Sequence, residues 1–188
     1  MKNIIIVFLN KIYRLLTLAQ AHTMKKLFLQ NSKSKIHPSF KFGKNNFLDI
    51  TADSEIHISE NVWINEGNNI AIKNKSTLSI GRNTYITRAT IACLEKIEIG
   101  ENCILGEGLK IFDHNHQYTT NPFSVAKTEF NTAPIKIGNN VWSGANCIIL
   151  KGVTIGDNVI LGAGCVIYKD IPANTTVVNA QNLILKPH

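Results

Sequence analysis

The chain has 188 residues, 44% of them hydrophobic and 18% charged, which excludes an extended disordered polymer and fits one folded domain with an appendage. Its net charge of +7 is unevenly spread: residues 1–50 hold nine Lys and Arg and a single acid, Asp49, so the remainder is close to neutral. Basicity confined to one terminus of an otherwise nearly neutral chain argues against a nucleic-acid partner.

Residues 1–48 read as a basic amphipathic helical segment. The apolar run 4–9 is shorter than the roughly 20 residues that a bilayer-spanning helix needs. It also falls short of a secretory signal. Ile5, Leu9, Ile12, Leu15, Leu16 and Ala19 recur at helical spacing, with Lys11 and Arg14 off that stripe, and predict a helix over 4–21. Its apolar face is expected to pack on the end or flank of the main domain. Docking on an anionic membrane surface is the alternative. The expected location is the cytoplasm, with the inner face of the membrane as the place of such docking.

Residues 49–178 carry a different periodicity. Ile137, Ser143, Ile149, Ile155, Leu161 and Ile167 stand at steps of six, and Gly138, Gly144, Gly156 and Gly162 follow four of them. A second set, Val141, Cys147, Val153, Val159, Cys165 and Ile171, lies four residues behind each member. Ile99, Leu105 and Ile111 keep the step upstream, and Ile56 with Val62 and Ile80 with Ile86 keep it more loosely. Such a hexad is the mark of a parallel β-helix. A short strand and a tight turn use about six residues, and three such units close a triangular coil whose aliphatics point inward. About six coils are predicted between Asp49 and Val178, with irregularities at 66–79 and 92–98. Residues 179–188 form a tail.

Cys93, Cys103, Cys147 and Cys165 are read as small buried hydrophobes, and Cys147 and Cys165 should stack in adjacent coils. No Cys/His spacing suits zinc, so no metal is expected.

The hexad breaks between Ile111 and Ile137, where the excess residues fall in 112–134 and predict an extruded loop. The loop opens with Asp113-His114-Asn115-His116, which places both histidines on one side of an extended segment. Histidine is the side chain best suited to general-base work near neutral pH.

Asp113-His114-Asn115-His116, Pro134 to Trp142, Lys151 to Asn158, Leu161-Gly162-Ala163-Gly164 and Lys169-Asp170-Ile171-Pro172 together resemble the hexapeptide-repeat acetyltransferases. Within that family the pattern is most similar to the sugar O-acetyltransferases of the galactoside, maltose and capsular polysaccharide type. The resemblance is specific over 99–178 and compatible over 49–98. It implies a left-handed parallel β-helix, a homotrimer, and acetyl-CoA as acyl donor in the groove between subunits. His114 falls at the family's catalytic base, with Asp113 and His116 as candidates for orienting the imidazole or the acceptor. Trp142, Gly144, Ala145, Gly162, Ala163, Tyr168 and Lys169 match positions that hold the cofactor's pantetheine arm and phosphates.

Ser143 departs from the family's aliphatic corner, which leaves either a looser coil or a hydroxyl offered to the ligand. The basic C-terminal loop of the family is also missing after Pro172. The expected activity is acetyl transfer to a carbohydrate hydroxyl, with acceptor contacts from 66–79 and 112–134. N-acetylation of an amino sugar and a non-catalytic scaffold are the alternatives. A zinc hydratase of related fold would need a third histidine beside His114 and His116.

Overall fold

The computed structural model describes residues 33–180 throughout and, ahead of them, residues 6, 7, 9, 11–16, 19, 22, 23 and 26. Residues 33–180 form a parallel β-solenoid. Consecutive short strands fall in turn on three walls, and each wall strand pairs in parallel with its counterpart one coil away. The first wall runs from Lys35–Ile36 to Thr154–Ile155 and has six strands. The second runs from Lys41–Phe42 to Thr176–Val177 with seven, and the third from Phe47–Ile50 to Val166–Ile167 with six.

The hexad columns are the core. Ile99 pairs with Ile137 and Ile137 with Ile155 on the first wall; Ile111, Ile149 and Ile167 align in the same way on the third. All of these side chains are buried. Burying one such aliphatic stabilises by about 1.5–3 kcal/mol, the gain that offsets ordering of the strands. Alternate residues point outward, so a strand such as Thr77–Ile80 buries Leu78 and Ile80 and leaves Thr77 and Ser79 half-buried.

The solenoid starts at Lys35, ahead of the expected boundary at Asp49: Lys35 pairs with His57 and Lys41 with Trp63. Coil length explains why this end lacks a clear hexad. Stacked corner residues stand 22 apart between Asn61 and Asn83, 19 between Asn83 and Asn102, and 18 between Asn140 and Asn158. Residues 66–79 are not a loop. They contain the strands Asn69–Ile72 and Thr77–Ile80, and the additional residues are absorbed at corners.

One corner, between the first and second walls, is built of asparagine. Asn61, Asn83, Asn102, Asn140, Asn158 and Asn174 all have φ between 54° and 59°. Asparagine tolerates this left-handed conformation better than other residues with a side chain. Its amide also bonds coil to coil: Asn61 Nδ2 donates to Asn83 Oδ1 (3.3 Å), Asn83 to Asn102 (3.1 Å), Asn140 to Asn158 (3.0 Å) and Asn158 to Asn174 (2.9 Å).

Every described residue between 6 and 26 is helical, and 11–16 is an unbroken run. The expected packing of its apolar stripe on the solenoid is not found. Leu9, Ile12, Leu15 and Leu16 are exposed, and a 3.5 Å bond from Asn45 Nδ2 to the Tyr13 hydroxyl links helix to first coil. No helix among the described residues is long and apolar enough to cross a membrane.

Candidate active site

The break in the hexad folds as a two-stranded antiparallel hairpin, His114–Thr120 against Phe123–Thr132, instead of an irregular loop. It leaves the prism where the third wall ends at Phe112. Asp113 is the hinge of that departure. Its side chain turns inward and is fully buried, while its neighbour His114 begins the hairpin.

A buried carboxylate is tolerable only when it is well bonded. Asp113 accepts from the backbone amides of Leu94 (2.9 and 3.0 Å), Glu95 (2.8 Å) and Lys96 (3.0 Å), closing the corner of the preceding coil. Its Oδ1 also lies 3.0 Å from His114 Nδ1. A carboxylate can only accept, so Nδ1 carries the proton and Nε2 is left with the lone pair. Phe112 and Phe130 stand edge-on to the imidazole, at 6.3 and 5.1 Å between centroids, and fix its plane. The ring is mostly buried, with its side chain 17% exposed.

His116 shares the His114 side of the hairpin, as alternation predicts: its ring lies 4.7 Å from Phe130. Its Nδ1 donates to Ala126 O at 2.9 Å, whereas the contact to His114 Nδ1 comes from Asp113. On the reverse side, Asn115 and Asn131 face each other across the strands, and Lys151 Nζ donates to Asn131 Oδ1 at 3.3 Å. Asn115, His116, Gln117, Tyr118, Asn131 and Lys151 line a polar cleft. Phe130 and Asn131 escaped the sequence reading because they carry no spacing signal, and Lys151 entered it only as part of a repeat motif.

The expected cofactor residues lie elsewhere on the prism. Trp142 points outward from the second wall between Ile104 and Ile160, and all three are exposed. Gly144, Ala145, Gly162 and Ala163 follow at the next corner, on the opposite edge of the third wall from His114. A Cβ on Gly144 would sit 2.7 Å from Ala163 N, so coil stacking alone requires glycine there. Tyr168 and Lys169 return to the His114 edge, aligned above Leu150 and Lys151 by the pairing of Ile149 with Ile167. They line a groove with Val166, Val178 and Asn179. Ser143 is not offered to a ligand: it is fully buried, and its Oγ accepts from Gly106 N at 2.9 Å.

The four cysteines are buried and free. Among the described residues no three His, Cys, Asp or Glu converge on a point that could hold a metal.

Residues 134–169 match the family described as bacterial transferase hexapeptide (six repeats). That match covers the regular coils on the C-terminal side of the hairpin. A curated relative, the galactoside O-acetyltransferase of Escherichia coli (strain K12), is 33% identical over 102 residues, which are 52% of this chain and 46% of that protein. The chain thus matches about half the length of that relative. Among solved structures, the chain resembles the polysialic acid O-acetyltransferase OatWY at 25% identity and TM-score 0.53, covering 78% of this chain and 80% of the other. AntD, an N-acyltransferase from Bacillus cereus, superposes with TM-score 0.67 at 16% identity over 81% of each chain, a likeness of fold.

Proposed function

We propose that the protein transfers an acetyl group from acetyl-CoA to a hydroxyl of a carbohydrate acceptor, with His114 as general base. The observation that carries this reading is the Asp113–His114 pair. Its buried carboxylate holds the imidazole in the tautomer that presents Nε2, on a hairpin with a cleft of hydrogen-bonding side chains. Nε2 takes the hydroxyl proton as the acceptor oxygen bonds to the thioester carbonyl carbon. The carbon–sulfur bond then breaks, and the imidazolium returns its proton to the departing thiolate. No acyl-enzyme is needed. The O-acetyltransferase names of the curated relative and of OatWY support acetyl transfer and the acceptor class.

The donor contacts fall to Trp142, Gly144, Ala145, Gly162, Ala163, Tyr168 and Lys169. In one chain the corner bearing Gly144 and Ala163 is separated from His114 by the full width of the third wall. A homotrimer in which that corner of one copy faces the hairpin of the next would join the two halves. The exposed Ile104, Trp142 and Ile160 on the second wall are suited to such a contact. The solenoid, taken as 49–178 with the preceding coil from Lys35, is the transferase unit.

Acetyl-CoA turnover over a panel of saccharides, comparing wild type with His114→Ala, tests the proposal. Thiol release that depends on a hydroxyl acceptor and collapses in the variant is expected. No release with any acceptor, together with no acetyl-CoA binding by calorimetry, overturns it. A second reading is N-acylation of an amino sugar, since the same solenoid fold is found in AntD, whose name is that of an N-acyltransferase. Amino and hydroxyl acceptors compared in the same panel separate the two.

A further inference from the structure

We infer that the N-terminal helix docks the protein on an anionic bilayer surface. The helix presents Leu9, Ile12 and Leu16 at i, i+3 and i+7, a spacing that puts them on one face, and each is exposed. Leu15 at 60% and Leu16 at 64% exposure are too open for side chains that have a packing partner within the chain. Lys11 and Arg14, one turn apart, lie off that face. Apolar side chains flanked by cations are what an interfacial helix needs: the apolar face enters the acyl boundary while the cations stay among headgroup phosphates.

Charge selects the occupant. No Asp or Glu precedes Asp49, whereas eight Lys and one Arg fall in 1–48. Pairing this helix with the same helix of a second copy would bring cations together with no acid in either segment to neutralise them. An anionic bilayer supplies that charge, and two combined signals, apolar insertion and a basic cluster, make such attachment stable. The Tyr13–Asn45 bond puts the helix beside the first coil, which bears Lys33, Lys35 and Lys41, so these cations gather at one end of the prism.

Co-sedimentation of the full chain with phosphatidylcholine vesicles, with and without phosphatidylglycerol, tests the inference. Binding is expected only to the anionic vesicles, falling at least about tenfold when salt rises from about 0.05 to about 0.5 M. Lys11→Glu/Arg14→Glu and Ile12→Glu/Leu16→Glu should each lower the bound fraction at least about tenfold. Thermal melting shows that the solenoid of each variant is intact. Equal binding to neutral and anionic vesicles, or wild-type binding by both variants, overturns the inference. So does an Ile12→Glu/Leu16→Glu variant that loses oligomeric mass while the wild type ignores vesicles, because a second copy then covers the face.

Discussion

Asp113 Oδ1 and His114 Nδ1 lie 3.0 Å apart, although the two residues are sequence neighbours with opposite fates. One side chain is sealed in the core and the other leads into the hairpin. The carboxylate that closes the corner at Leu94–Lys96 is the same one that holds the imidazole, so the fold and the His114 ring share one anchor.

His114→Ala should lower kcat by about 10²–10⁴, the usual worth of a positioned base, while the KM for acetyl-CoA changes little. Steady-state kinetics with a responsive acceptor measure both. A matching rise in KM with kcat preserved would assign His114 to binding instead.

Asp113 variants should separate anchoring from catalysis. Asp113→Ala takes the shared acceptor from the Leu94, Glu95 and Lys96 amides and should cost about 3 kcal/mol of stability, seen as a lower Tm. Asp113→Asn keeps one acceptor oxygen for those amides, so it should cost less in Tm. Its kcat should still fall, because an amide NH2 facing Nδ1 favours the wrong tautomer.

The asparagine corner supports a paired substitution at Asn158. Asn158→Gly keeps the left-handed φ of 58° but loses the bonds to Asn140 and Asn174. Asn158→Ala loses both the bonds and the conformational ease. Denaturant unfolding should therefore place the alanine variant below the glycine variant by about 1–2 kcal/mol. Equal stabilities would mean that the ladder alone matters.

Cys93 gives a pH prediction. Burial, reinforced by the neighbouring Asp113 carboxylate, pushes its thiol from the ordinary 9.0 up to about 12. The unfolded chain ionises this thiol near 9, whereas the folded chain keeps it protonated. Its stabilising contribution is complete below pH 9 and is lost as the pH climbs toward 12. Native protein at pH 8 should leave all four cysteines unmodified by a thiol reagent, and denatured protein should expose four.

The solenoid was most legible where its coils are most regular. Between Ile137 and Ile167 each coil takes 18 residues, so inward positions recur at fixed steps and the hexad stands out. Nearer the N-terminus 22-residue coils place the same inward positions at unequal steps, and the first coil at Lys35 escaped notice for that reason. His114 was legible because a polar, histidine-bearing stretch interrupts an aliphatic repeat. The bonding of Asp113 to Leu94–Lys96 was not, since it depends on which coil lies beneath the break. Ser143 looked like a departure and proved to be core, because its hydroxyl finds Gly106 N one coil away. The helix stripe was legible, but its exposure was not, as periodicity names a face without naming what covers it.

Glu101 N accepts no change of partner type across the hairpin: it donates to Asn139 Oδ1 38 positions ahead, just as Asn139 N donates to the Asp157 carboxylate 18 positions ahead. Ile97 still meets Ile135 on the first wall. The prism therefore keeps the same phase on both sides of the hairpin. Such an insertion can be lengthened, shortened or exchanged without displacing a single core column, so the polar cleft it builds can diverge while the solenoid beneath stays fixed.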